Sequence, residues 1–217
     1  MVVFADRTDA GRLLAPALDR WRGTDAVVCG IPRGGVVVAA EVARILNLPL
    51  TVVTVRKLGA PNREEYAVGA IADEVRIVDL PALRASGGTE EQLADVERRE
   101  RAELIRRGHA FDAFDIDVAG RTAIVVDDGI ATGSTATAAC RALRLRGARR
   151  IVLAVPVAPV EYSPGADAAD QYECLHRVRN LWAVGQHYGD FRQTDEAEVV
   201  RLLAAARTQP GTTTAGT

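Results

Sequence analysis

Asp127 and Asp128 stand side by side after an apolar run, and Ala131, Thr132, Gly133, Ser134 and Thr135 follow closely. Paired carboxylates accept hydrogen bonds from sugar hydroxyls or hold a divalent cation through its waters. A helix start offers unpaired backbone N–H groups and a partial positive charge, which together hold a phosphate, and the three hydroxyls and the glycine here add donors and room for its approach. A ligand carrying a phosphate, a diol and a bound metal satisfies both halves. Pro32, Arg33, Gly34 and Gly35 form a second loop of this kind, where glycines let amides turn toward an anion and Arg33 adds charge. Arg56 and Lys57 are adjacent cations able to neutralise charge developing on an anionic leaving group. Of the 27 basic residues, Lys57 is the only lysine, and an ammonium does not substitute for a guanidinium.

These groups need elements to position them. Thr122 to Leu143 (TAIVVDDGIATGSTATAACRAL) reads as a buried strand, a small-residue loop and a helix with apolar positions Ala136, Ala139, Cys140 and Leu143, closed at Gly147. Ala26 to Gly30, the loop 31–35 and a helix over Val36 to Leu46 repeat the arrangement. Leu50 to Arg56 reads as a strand delivering Arg56 and Lys57 at its end, and Arg150 to Pro156 as another buried strand. Strands alternating with helices predict an α/β fold: an open, mainly parallel twisted sheet flanked by helices, with ligands at the strand ends. A first helix, capped by Thr8 or Asp9 and interrupted at Pro16, reads as a cover for the core without a catalytic part. Between the strands, 58–120 is a long insertion. It holds a hairpin around Asp73-Glu74 and a polar helix, Thr89 to Arg107, with a capping box and i, i+4 pairs Asp95/Arg99, Glu97/Arg101 and Glu103/Arg107. After Val157 come short apolar pieces (Tyr172 to Leu175, Leu181 to Val184), the cluster His187, Tyr188 and Phe191, and a last helix capped by Thr194 or Asp195. Trp182 reads as a core residue of this small C-terminal part. Gln209 to Thr217 reads as a disordered tail, so one domain, 1–206, is expected, with 207–217 outside it.

The acid pair admits other readings. Asp128-Gly129 as a hairpin turn conflicts with the helical period after it. Neither G-x-x-x-x-G-K-[ST] nor G-x-G-x-x-G is present. A metal or phospho-acceptor site in another doubly wound fold stays open, although a metal hydrolase lacks the further histidines and acids such sites use.

VVDDGIATGST resembles the signature by which type I phosphoribosyltransferases bind 5-phosphoribosyl 1-pyrophosphate (PRPP): hydrophobic residues, two acids, a spacer and T-G-x-T. The resemblance implies that Asp127 and Asp128 hold the ribose hydroxyls and that Ala131, Thr132, Gly133, Ser134 and Thr135 bind the 5′-phosphate. It further implies that Pro32, Arg33, Gly34 and Gly35 bind pyrophosphate, with Lys57 and Arg56 as catalytic cations. Mg²⁺ is the implied cofactor, held mainly through PRPP and water near Asp127 and Asp128. By the same resemblance the insertion is a flap that shields the reacting centre, with Arg63, Glu64, Glu65 and Tyr66 as candidates to close it, and about 157–194 is a hood that recognises a nucleobase-like acceptor. The runs VRKLGAPNREEYAVGAIADE and CLHRVRNLWAVGQHYGDFRQTDEAEV resemble an uncharacterised bacterial branch of phosphoribosyltransferase-domain proteins, found alone or fused to a hydrolase. In the 6-oxopurine enzymes an aspartate precedes T-G; here that residue is Ala131, which argues against hypoxanthine and guanine. The competing class is a regulatory module that senses PRPP or nucleotides without turnover.

The 217 residues, 48% hydrophobic, suffice for one core. A net charge of −2 gives no basic surface for nucleic acid. Cys29, Cys140 and Cys174, odd in number and without C-x-x-C, indicate neither a disulfide framework nor a zinc site. No apolar run approaches a membrane span. A cytoplasmic, reducing location is expected, with a homo-oligomer left open.

Overall fold

The structure is a computed structural model that describes residues 2–72, 75–111 and 116–208, Glu65 by its backbone only. The expected turn at Asp73-Glu74 and the tail from Gln209 lie outside the described residues. Five parallel strands form the main sheet in the order β2 (Leu50–Val52), β1 (Val27–Gly30), β6 (Thr122–Val126), β7 (Arg150–Pro159) and β8 (Gln171–Val178). β1 and β6 are buried along their whole length, as their unbroken apolar runs require of central strands in a parallel sheet.

Helices cover both faces. On one lie α1 (Arg7–Leu14), the 3₁₀ turn Ala15–Trp21, α2 (Gly34–Leu46) and α6 (Glu196–Arg207). Val36, Val38, Val42 and Leu46 of α2 pack on Val28, Ile124 and Val126 there; each such side chain contributes about 1.5–3 kcal/mol of burial. On the other face α5 (Ser134–Leu145) packs Ala136, Ala139, Cys140 and Leu143 on Cys29, Val125 and Leu153. α2 ends at Asn47, whose positive φ of 55° closes it.

The insertion is a second sheet, antiparallel, of β3 (Arg56–Ala60), β4 (Arg63–Ala72) and β5 (Val75–Val78), covered by α3 (Leu80–Ala85) and α4 (Glu90–Ala110). Leu58, Val68, Ile71, Leu83 and Leu93 give it a core of its own, while Ala70, Ala72 and Val75 lie against α5. The capping box of Thr89 and Gln92 is present on α4, as are the pairs Glu97–Arg101 and Glu103–Arg107.

Several expectations are corrected. Arg56 does not end a strand of the main sheet: β2 stops at Val52 and Arg56 opens β3 of the second sheet. Asp6 rather than Thr8 or Asp9 caps α1, accepting from the Asp9 N–H at 2.8 Å, and Pro16 lies in the first turn of the 3₁₀ segment Ala15–Trp21 instead of kinking the helix. Asp95 pairs with Arg98. Within 157–194, the segment 171–178 is an edge strand of the main sheet, half-buried and therefore too mixed in polarity to read as a parallel strand. Trp182 is 86% exposed and not a core residue. Among the described residues no helix is long and apolar enough to cross a membrane.

Candidate functional site

β1 and β6 are neighbours, Gly30 opposite Val126, and the chain winds outward from them in opposite directions. The crevice beyond the carboxyl ends of such a strand pair is where open α/β sheets bind ligands. Both loops singled out in the sequence emerge there. Ile31 donates its N–H to the Val126 carbonyl at 2.9 Å, extending the ladder into the loops, and the Pro32–Arg33 peptide is cis.

Gly34 and Gly35 start α2 and press on the acid pair. A Cβ on Gly35 would lie 2.8 Å from the Asp127 Cα, and one on Gly34 would lie 2.1 Å from Asp128 Oδ2 and 2.6 Å from Arg7 Nε. Glycine is needed at both positions because backbone and carboxylate occupy the space of a side chain. Arg33, half-buried, has no side-chain partner among the described residues.

A cleft of about 280 Å³ opens beside this junction. Asp127, Ala131, Thr132, Gly133 and Thr135 line it from the loop after β6; Lys57 and Ala67 line it from the second sheet, and Val184 from the C-terminal segment. Ser134 is the first residue of α5 and is not part of that wall. Gly133 has φ 82°, and a Cβ there would sit 2.1 Å from the Tyr162 ring, so this position needs glycine twice over.

The two acids differ. Asp127 faces the cleft, and its Oδ1 accepts the Asp128 N–H at 2.9 Å. Burial first, and the Asp128 charge second, hold the Asp127 carboxyl well above the usual carboxylate range. Asp128 receives Arg7 Nε on Oδ2 at 2.8 Å, and the Tyr188 hydroxyl donates to its carbonyl at 2.5 Å. Burial still raises the Asp128 carboxyl, against the opposing pull of Arg7. Arg7 also donates to the Arg192 carbonyl at 2.8 Å and stacks 3.8 Å above the centre of the Phe191 ring. Nothing in the sequence marks Arg7: its partner is remote, and α1 reads as a cover.

Of the other two candidates only Lys57 borders this cleft. Lys57 also lines a second cavity of about 420 Å³ together with Arg56, Glu64 and Arg99, and Arg56 donates to Glu100 on α4 at 2.6 Å. His187 is buried, and Tyr188 and Phe191 stack at 5.0 Å between ring centres, so these side chains build the C-terminal segment behind Asp128.

Against known proteins, the phosphoribosyl transferase domain matches residues 7–188. The chain belongs to the type I phosphoribosyltransferase family. Two curated Mycobacterium tuberculosis proteins, from strains CDC 1551 and H37Rv, each carry the name "Putative phosphoribosyl transferase" and are 45% identical over 210 residues. The alignment takes in 95% of this chain and 47% of each relative, so the chain spans about half their length. The crystal structure of TT1426 from Thermus thermophilus is 36% identical, with a TM-score of 0.72 over 94% of this chain and 99% of that one. A Neisseria gonorrhoeae hypothetical protein with bound ppGpp shares the fold at 19% identity and a TM-score of 0.50, over 95% and 96% of the chains. In this member of the family the motif 125–135 occupies the switch between β1 and β6, and the candidate loop 32–35 is packed against it.

Proposed function

We propose that this phosphoribosyltransferase moves the ribosyl 5-phosphate group of PRPP to a nitrogen acceptor of the nucleobase class, releasing pyrophosphate. The observation that carries the reading is the meeting of Lys57, Asp127 and the loop 131–135 on one cleft, although the second sheet and the main sheet fold as separate layers. In this reading the amides at the start of α5, with Thr132 and Thr135, hold the 5′-phosphate. Asp127 and Asp128 accept hydrogen bonds from the ribose hydroxyls. Arg33 and the amides of Gly34 and Gly35 hold pyrophosphate, and Lys57 offsets the charge that gathers on it as the glycosidic bond lengthens. Ala67 from the second sheet and Val184 from the C-terminal segment line the cleft and limit the approach of water to the anomeric carbon.

Two adjacent carboxylates whose ionisation burial disfavours, opposed by the Asp128 N–H and by Arg7, form a donor set suited to a divalent cation. Among the described residues no cluster of three or more metal-ligating side chains exists, so Mg²⁺ fits here as an ion carried by PRPP and water and met by one or both acids. When bound, it supplies neutralisation of the pyrophosphate oxygens. The free thiols Cys29, Cys140 and Cys174 suit a reducing cytoplasmic setting.

Pyrophosphate release from PRPP with Mg²⁺, measured against a panel of purine and pyrimidine bases, tests the proposal. Release that depends on one base and is lost in Asp127→Asn and Asp128→Asn supports it. Saturable PRPP binding without release with any base replaces it by a PRPP-sensing module. Efficient use of hypoxanthine or guanine would overturn the reading of Ala131.

A further inference from the structure

The first turn of α1 reaches the acid pair from outside the cleft. Asp6 caps the helix, and Gly11 allows it to lie close on α2, where an added Cβ would come within 2.6 Å of the Val38 carbonyl. This docking fixes Arg7 over the start of α2. Its guanidinium makes three separate contacts, with Asp128 Oδ2, the Arg192 carbonyl and the Phe191 ring, and its side chain is 11% exposed. Gly34 packs against both Arg7 and Asp128.

A guanidinium held by a carbonyl on one side and a ring on its face has little freedom left. The carboxylate it binds inherits that rigidity. Asp127 is anchored by the Asp128 amide instead, so the two acids are oriented by different devices.

We infer that Arg7 is a positioning residue for PRPP binding: it fixes Asp128 and ties the orientation of that acid to the loop 32–35 and to the segment 188–192. The inference rests on the PRPP reading. Arg7 acts through Asp128 and needs no contact with the ligand. Neither charge alone nor the presence of α1 suffices; the fork and its stacking are what hold the carboxylate.

The test compares PRPP affinity by calorimetry, well below each melting midpoint, in the unaltered protein, Arg7→Met, Arg7→Lys and Leu14→Ala. Leu14 is buried under α1, away from the acids, so its truncation loosens the helix without touching Arg7. Loss of a charge-assisted contact to a half-buried carboxylate predicts PRPP binding weaker by about 10- to 100-fold in Arg7→Met. Arg7→Lys falls between, because a lysine keeps the charge without the fork. Leu14→Ala lowers the melting midpoint and keeps the affinity of the folded protein. KM for PRPP rises more than kcat falls in both Arg7 variants. Unchanged affinity in the Arg7 variants overturns the role, as does an equal loss in Leu14→Ala, which would make α1 docking the cause. If Arg7→Met does not fold, Arg7→Lys decides by the same criteria. Absence of PRPP binding in the unaltered, folded protein overturns the PRPP reading itself, and this role with it.

Discussion

Carboxylates gather in two regions of this protein, at the end of β6 and along α4, and the regions hold them in opposite physical states. On α4, Glu97 takes Arg76 at 2.7 Å and Arg101 at 3.0 Å, and Glu103 takes Arg106 and Arg107, each at 2.8 Å. Arg106 first, then Arg107, hold the Glu103 carboxyl down at about 2; for Glu97 the upward push of burial is outweighed by Arg76 and Arg101. At the strand end two adjacent acids share one arginine, and burial pushes both up. Arginine-saturated acids are a solvated scaffold. Under-compensated acids at a sheet switch point store unfavourable electrostatics that a ligand relieves, which is how sites for polar substrates are built.

Breaking the pair is expected to have the largest effect. Asp127→Asn lowers PRPP-dependent turnover by about 100-fold or more, measured as pyrophosphate release, whereas Glu103→Gln leaves it within about twofold. Gly34→Ala comes next. Its methyl group displaces Asp128 or Arg7, so PRPP affinity falls by about tenfold and stability by about 1–3 kcal/mol, read by calorimetry and denaturant unfolding.

The contrast sharpens with pH. A carboxyl raised in the folded state keeps its proton where the unfolded chain has lost its own, so stability is lost as pH rises from the ordinary carboxylate range through the raised value. Asp127→Asn therefore gains stability over the unaltered protein as pH rises above the ordinary carboxylate range, and the difference fades toward acid pH, by urea unfolding. Glu103 has the opposite sign. Its contribution is present above the unfolded range and is lost as pH falls toward about 2. Glu103→Gln gives the smallest effect, below about 1 kcal/mol at neutral pH, because exposed ion pairs are weak.

How much of this was legible follows the range of the interactions. The strand, loop and helix over 122–145 could be read because a β-branched run, small residues and a glycine are local signals, and the capping box of α4 spans only Thr89 to Gln92. The second sheet was half legible. Its hairpin alternates, but the step from β2 into β3 leaves no mark, since Val53 and Val55 are as apolar as a continuing strand. Arg56 reads beside Lys57 as a second catalytic cation, and its partner Glu100 on α4, 44 positions away, leaves no local signal. Arg7 was invisible for the same reason, its partner being 121 positions away. Trp182 misled because large aromatics usually bury, and β8 because an edge strand mixes polar with apolar residues.

The second sheet also bears on how such a protein diversifies. The chain leaves the main sheet after β2 and returns to it at β6, and β1 lies between those two strands. The described residues between Val53 and Val118 thus form one enlarged crossover between fixed ends, with a small core of its own around Leu58, Val68, Leu83 and Leu93. Descendants of this chain are free to lengthen, shorten or recompose it, trading walls around the cleft, while the loops at the ends of β1 and β6 keep their register.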